Sequence, residues 1–228
     1  MDSDLPKVLH PIGELPMITR VVQTAKELGA SRIIPVLGYK YKLVQSALKE
    51  EPVECVLQLQ QLGTAHAVLQ CRDTLQNFNG NILILYGDVP LITVETLAKL
   101  LSVHDEQDSL GTILTADLSD PKGYGRVIRD VNGNLSKIVE EKDATEEERA
   151  IQEINSGIYV FKSWTLFNLL PMVGNNNSQN EYYLPDVLNL ILEKSEKVAI
   201  EKINNSFEIQ GVNNPEQLSE MKGYYENI

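Results

Sequence analysis

Asp88 follows the run Ile82-Leu83-Ile84-Leu85 in N-I-L-I-L-Y-G-D-V-P, residues 81–90, which places its carboxylate at the C-terminal end of an apolar strand. Gly87 beside it lets a ligand approach the backbone closely. Open α/β sheets bind ligands at that edge, and a carboxylate there is a hard oxygen donor for a metal ion; a Gly-Asp pair after a strand is also an ordinary turn. Lys7 lies among prolines 6, 11 and 16 and reads either as a solvated surface lysine or as a cation for a bound anion. Gly63-Thr64, just ahead of a helix, could offer backbone N–H groups and a hydroxyl to a polar ligand, or Thr64 could simply cap that helix. Asn213 precedes Asn214-Pro215, which supplies the cap and first residue of a last helix and leaves Asn213 free to act.

The elements that must position these residues alternate in the first half of the chain. Apolar residues at 17, 18, 21, 22, 25 and 28 form one helical stripe closed by Gly29. Strands are expected over 32–37 and 54–57, helices over 40–49 and 65–75, then the strand 82–85, a helix over 93–101 and a strand over 110–118. The apolar run at 82–85 predicts a central parallel strand covered on both faces. Strand-helix-strand order up to about residue 118 predicts a mostly parallel sheet with right-handed crossovers.

After residue 118 the pattern changes. Segments 127–130 and 135–140 around Asn132-Gly133 form a hairpin, and T-E-E-E-R after Glu140 reads as a solvated helical surface. Residues 154–161 resume a buried strand whose Asn155-Ser156-Gly157 marks either a bulge or a binding group. Residues 164–170 form a short helix, 175–180 a polar loop suited to a mobile lid, and a helix runs to about 193 before closing strands at 198–203 and 207–209.

Length and composition set bounds. The 228 residues, 43% hydrophobic, suffice for a substantial core in one domain, or in one domain with a smaller appendage. A formal charge of −12 argues against a nucleic-acid backbone as partner, so phosphates would have to be held locally. No apolar run reaches the ~20 residues of a membrane span and the start lacks a signal peptide, which points to the cytoplasm. Cys55 and Cys71 lack metal-ligand spacing and read as buried free thiols.

The pieces S-D-L-P-K-V-L-H (3–10), Q-L-G-T (61–64), L-Y-G-D-V-P (85–90), G-Y-G-R (123–126), I-V-E-E-K-D-A (138–144), E-I-N-S-G (153–157), E-Y-Y (181–183) and G-V-N-N (211–214) resemble one family. It is the uridyltransferase domain of bacterial N-acetylglucosamine-1-phosphate uridyltransferases, and the similarity runs in order from residue 1 to about 220. The resemblance implies a Rossmann-like, glycosyltransferase-A-like α/β nucleotidyltransferase fold with antiparallel strands added over the sugar site. Within it, 1–118 would bind nucleotide, 119–210 sugar, and 211–228 close the metal site.

The implied reaction is attack by N-acetylglucosamine 1-phosphate on the α-phosphorus of UTP, giving UDP-N-acetylglucosamine, a cell-wall and lipopolysaccharide precursor, and pyrophosphate. By the same resemblance Mg²⁺ belongs to Asp88 and Asn213, and Lys7 becomes a phosphate ligand. Gln58, Gly63 and Thr64 fall at the uracil, with Gln61 also among the substrate-binding residues; Tyr86 and Gly87 line the nucleotide-sugar site; Gly125, Glu140, Asn155 and Tyr183 surround the sugar. Because the nucleophile is already an anion, in-line positioning and charge neutralisation suffice, without a general base.

Two departures accompany the resemblance. The family begins with a strand and a glycine-rich loop that holds the triphosphate, and this sequence starts at the methionine of that loop, so a preceding strand and loop are expected. The acetyltransferase β-helix through which full-length members form homotrimers has no counterpart here. Competing readings are a related nucleotidyltransferase with another nucleotide or sugar, and a non-catalytic sugar-nucleotide-binding module.

Overall fold

The computed structural model describes residues 4–227. In chain order the elements are β1 (Pro11–Ile12), β2 (Leu15–Pro16), α1 (Met17–Glu27), β3 (Val36–Leu37), α2 (Tyr41–Ala47), β4 (Val56–Leu57), α3 (Thr64–Leu69), β5 (Asn81–Ile84) and α4 (Val94–Glu106). There follow β6 (Gly111–Asp117), β7 (Gly125–Arg129), β8 (Leu135–Val139), α5 (Glu146–Arg149), β9 (Glu153–Lys162), α6 (Ser163–Leu169), α7 (Asp186–Glu193), β10 (Val198–Ile203) and α8 (Pro215–Tyr225). The chain divides into two compact units, one made of the described residues of Met1–Leu59, Leu85–Ala98 and Phe207–Ile228, the other of Gln60–Ile84 and Lys99–Ser206.

In the first unit β3 and β4 form a parallel pair and β1 and β2 an antiparallel one. The stripe expected on α1 is the buried one: Met17, Ile18, Val21, Val22 and Ala25 all face inward. Met17 joins Ile12, Leu91, Val212 and Met221 in one apolar cluster, while Ile18 and Val22 join Leu37, Val44 and Leu48 in another. Helix α8 begins as its sequence dictates, with the Asn214 side chain accepting from the Gln217 amide at 2.8 Å and Pro215 in the first position, where the missing N–H costs nothing. The closing strand expected at 207–209 is instead a 3₁₀ turn, Ser206–Ile209. Glu208 there accepts from the hydroxyls of Thr93 and Thr96, and the Phe207 ring stacks on Tyr224, contacts that a ladder strand would forgo.

The second unit is built on a mixed six-stranded sheet in the order β10-β6-β9-β7-β8, with β5 also beside β9. Strands β10 and β6 are parallel; every pairing to β9, and the β7–β8 hairpin, is antiparallel. The hairpin turn is fixed by the Asp130 side chain, which accepts from the amides of Asn132 and Asn134, and by Gly133 at φ +85°.

The central, doubly covered strand is β9 rather than β5. Ile158, Tyr159, Val160 and Phe161 are fully buried, whereas β5 is half-buried along its length and pairs antiparallel with β9. β9 is an inner strand, with β6 along one edge and β5 and β7 sharing the other, and its Tyr159 and Phe161 pack into a cluster with Leu166, Leu169, Leu184, Val187, Leu188 and Ile191. The polar residues inside β9 are compatible with burial because their bonds are made locally. The ladder to β6 shifts register here, and the Ser156 hydroxyl donates to the Leu114 carbonyl at 2.6 Å while accepting from the Ile158 amide at 3.0 Å.

Candidate active site

Asp88, Lys7 and Asn213 meet within the first unit. The backbone turns at Tyr86, whose carbonyl accepts from the Val89 amide at 3.1 Å, and this turn presents the Asp88 side chain. The Asp88 carbonyl accepts from Val212 at 3.0 Å, and Val212 is itself fully buried, so the next residue, Asn213, is held beside Asp88 and left exposed. The Asn213 amide N–H donates to Gln217 Oε1 at 2.7 Å, on the first turn of α8. Lys7, in the 3₁₀ turn Lys7–Leu9, completes the group: its Nζ donates to Asp88 Oδ2 at 2.5 Å and to Asn213 Oδ1 at 2.7 Å. A carboxylate oxygen and an amide oxygen, far apart in sequence, therefore converge on one cationic atom.

Tyr86, Gly87 and Gln58 also lie in this unit. A Cβ added at Gly87 would make only ordinary contacts, 3.4 Å from Ile18 and Val8, so packing does not demand glycine there. Gln58 continues from β4, its amide donating to the Leu37 carbonyl at 2.8 Å.

The second unit holds the remaining candidates in two groups. In the first, Gly125 and Asn155 are register partners on β7 and β9, and a Cβ at Gly125 would lie 3.1 Å from Glu140 Oε1 and 3.4 Å from Asn155 Cβ. Asn155 donates to the Glu140 carboxylate, and its own Oδ1 accepts from the Tyr159 hydroxyl at 2.8 Å and the Gly157 amide at 3.0 Å. Burial, together with the charges of Asp186 and Asp143, raises the Glu140 pKa above its ordinary value; the Asn155 hydrogen bond and Arg126 oppose this without prevailing. Arg126, buried beneath this group, donates to the carbonyls of Tyr124 and Arg149.

The other group joins residues 62–65 to 182–184. The Tyr182 amide donates to the Leu62 carbonyl, Ala65 donates to the Tyr182 carbonyl, and Thr64 Oγ1 accepts from the Leu184 amide at 2.9 Å. Helix α3 is only six residues long and its cap is Gly63, not Thr64. The threonine is thus a stitch between two segments, with its hydroxyl proton still available for donation. Gln61 is exposed. Tyr183 is buried, and its hydroxyl accepts from Gln179 at 2.8 Å and donates to Asp143.

Tyr159, Asp143 and Gln179 were not singled out by sequence reasoning. The available signal for Tyr159 was its place four residues beyond Asn155 on a strand expected to bulge. Asp143 sits in the E-E-K-D turn but looks like one more acidic surface residue. The loop expected as a lid, 175–180, carries specific bonds: Lys142 donates to Gln179 at 2.5 Å, and Asp143 accepts from the Ser178 amide at 2.9 Å. The two cysteines are unpaired, and burial pushes the Cys71 thiol up to about 11, in line with an inert packing role.

A mixed sheet with helices, and oxygen donors gathered at Asp88 and Asn213, suit a protein that binds phosphate-bearing ligands through a cation. The model of the family described as nucleotidyl transferase matches residues 2–206, and the chain belongs to that family. Among curated relatives, the "Bifunctional protein GlmU" of Halalkalibacterium halodurans is 45% identical over 220 residues, covering 96% of this chain and 48% of the relative. The protein of the same name from Alkaliphilus metalliredigens is 46% identical over 222 residues, covering 97% and 48%. The chain spans about half the length of these relatives. A solved UDP-glucose pyrophosphorylase complexed with UDP-glucose aligns with TM-score 0.73 at 18% identity, over 98% of this chain and 91% of that one. An apo UDP-glucose pyrophosphorylase aligns with TM-score 0.75 at 17% identity over the same shares. These two likenesses establish the α/β nucleotidyltransferase fold and no more. Among the described residues no helix is long and apolar enough to cross a membrane.

Proposed function

We propose that the chain transfers UMP from UTP to N-acetylglucosamine 1-phosphate, forming UDP-N-acetylglucosamine and pyrophosphate in a magnesium-dependent step in the cytoplasm. The observation that carries this reading is the convergence of Asp88 Oδ2 and Asn213 Oδ1 on one cation, here the Lys7 ammonium. The donor set fits Mg²⁺, which prefers hard oxygens, takes few protein ligands and leaves positions for phosphate oxygens and water. Among the described residues no group of three His, Cys, Asp or Glu gathers as a metal site, so this pair would leave most of the coordination to substrate and solvent. When bound, the ion neutralises phosphate charge and aligns the attacked phosphorus.

The chain's own residues supply the rest. Lys7 neutralises a phosphate oxygen, and the phosphate nucleophile, already anionic, needs no base. Gln58, Gln61, Gly63 and Thr64 read the uracil, with Tyr86 and Gly87 beside the nucleotide sugar. Glu140, oriented by Asn155, accepts from sugar hydroxyls over the small surface of Gly125, while Tyr183 bounds the N-acetylated sugar.

The test is release of pyrophosphate from UTP and N-acetylglucosamine 1-phosphate, with ATP, CTP and dTTP as competitors and glucose 1-phosphate as the alternative acceptor. Magnesium-dependent release specific to UTP and the N-acetylated sugar is the expected result. Binding of UDP-N-acetylglucosamine without turnover would replace the enzyme reading with that of a binding module. Asp88→Ala and Asn213→Ala should each abolish release in a folded protein, and near-native turnover of either at limiting magnesium would overturn the metal assignment.

A further inference from the structure

We propose that the Lys7 ammonium and the divalent ion are alternate occupants of one point: the lysine holds Asp88 and Asn213 in the substrate-free chain, and is released toward phosphate when the ion arrives. The inference rests on the metal assignment above and adds to it the state of the site before loading.

The geometry is unusual for a surface lysine. Its single Nζ bonds two side-chain oxygens that lie 81 and 206 residues away in sequence, and these are the two oxygens assigned to the ion. The ammonium fills the space between the two oxygens, 2.5 Å from one and 2.7 Å from the other, so a magnesium ion bound there to both oxygens at about 2.1 Å would lie within the volume it now occupies. Two cations cannot share it. The lysine side chain is 37% exposed while that of Asp88 is 17% exposed, so the lysine, not the carboxylate, is the partner with somewhere to go.

Charge follows the same logic. In the free chain Asp88 is neutralised by Lys7, and its oxygen is kept in position beside that of Asn213. An ion entering without nucleotide must break both lysine bonds and leave a like charge close by, which weakens its binding. With a nucleoside triphosphate present, the displaced ammonium gains a phosphate oxygen, a charge-assisted bond replacing the one lost. Ion and nucleotide therefore bind cooperatively, with Lys7 as the group that changes partners.

The experiment is Mn²⁺ titration of the 228-residue chain, followed by the electron paramagnetic resonance signal of the free ion, with and without a non-hydrolysable UTP analogue. Without nucleotide, Lys7→Met is expected to bind Mn²⁺ about tenfold more tightly than the native chain, a gain of about 1.4 kcal/mol. Lys7→Gln, polar but uncharged, should share the gain and serves if the methionine variant folds poorly. With the analogue, the order should invert and the native chain should bind Mn²⁺ more tightly. Equal or weaker Mn²⁺ binding by both variants without nucleotide would overturn the exchange, as would failure of the order to invert. Asp88→Asn separates the two ideas: its loss of Mn²⁺ binding keeps the metal assignment even where the exchange fails, whereas binding unaffected by Asp88→Asn removes the assignment and the exchange together.

Discussion

The Tyr159 hydroxyl donates to Asn155 Oδ1 at 2.8 Å, and the Gly157 amide donates to the same oxygen at 3.0 Å, so the Asn155 amide has one orientation, with its NH₂ toward Glu140. All three residues belong to β9, and the bulge at 156–158 is what lets Tyr159 reach back. Tyr159 is fully buried and touches no substrate in the proposed reading; it acts by fixing the amide. Tyr159→Phe removes one hydrogen bond worth about 1 kcal/mol without changing the ring packing. The expected outcome is a KM for N-acetylglucosamine 1-phosphate raised about fivefold, with the KM for UTP unchanged. An equal rise for both substrates would show that the bond is merely structural.

Glu140 should trade stability for binding. Burial, and then Asp186 and Asp143, raise its pKa in the folded chain above 4.5, so the fold favours the protonated carboxyl. Its contribution to stability is complete below pH 4.5 and is lost as pH rises through the raised value. At neutral pH the ionised side chain is a cost, which Glu140→Gln removes. The variant is expected to melt about 2 °C higher than the native chain at pH 7.5, with no gain at pH 4, and to bind sugar phosphate more weakly. A lower melting temperature at pH 7.5 would contradict this account.

His104 gives the opposite slope. It is fully buried, its Nδ1 sits 2.7 Å from Thr112 Oγ1, and burial, with Lys162 nearby, holds its pKa down to about 4 against the charges of Asp105 and Asp108. The neutral ring contributes stability above its ordinary pKa of 6.5, and this is lost as pH falls toward 4. Thermal unfolding followed from pH 7 to pH 4 should therefore show a falling Tm, and His104→Gln should flatten that fall. Parallel pH profiles for the two proteins would rule the histidine out as the source.

What was legible in the sequence, and what was not, divides along range. The α1 stripe, the Asn214-Pro215 start of α8 and the Asn132-Gly133 hairpin depend on residues within a few positions of one another, and each formed as its local pattern dictates. Which strand is covered on both faces depends on distant neighbours. The uniformly apolar 82–85 therefore looked central, while β9, interrupted by Asn-Ser-Gly, is the strand buried between partners. Likewise nothing local ties Lys7 to Asp88 and Asn213, and the motif resemblance gathered these residues without showing that the lysine bridges the other two.

Gly63 is required by both conformation and space. Its φ is +112°, and a Cβ there would lie 2.5 Å from the Tyr182 carbonyl oxygen and 2.7 Å from its nitrogen, both backbone atoms that cannot give way. Gly63→Ala must push 62–65 away from 182–184, breaking the bonds that join the proposed uracil segment to Tyr183. A loss of about 3–4 kcal/mol is expected, lowering Tm by roughly 10 °C at this chain length. Calorimetry decides it; a Tm within a degree or two of the native value would mean that the segment relaxes without cost.

The last prediction concerns the loop 175–180. It has no apolar anchor of its own, and is held by side chains: Asp143 accepts from the Ser178 amide at 2.9 Å and from the Tyr183 hydroxyl, Lys142 reaches Gln179 at 2.5 Å, and Gln179 donates to Tyr183 at 2.8 Å. Asp143 is thus shared between the loop and a proposed sugar-contacting ring, and it follows Glu140 in one turn, its amide donating to the Glu140 carbonyl at 2.9 Å. Removing the carboxylate loosens the loop while leaving the packed core of the unit intact, because of these partners only Tyr183 is buried and its hydroxyl keeps the bond to Gln179. Asp143→Ala should therefore leave Tm nearly unchanged, accelerate proteolytic cleavage within 175–180 by about tenfold, and raise the KM for N-acetylglucosamine 1-phosphate severalfold without altering that for UTP. Asp143→Asn, which keeps one acceptor for the Ser178 amide, should fall between the two. If cleavage quickened while the sugar KM stayed at its native value, the loop would be a surface tether with no part in holding Tyr183 for the sugar.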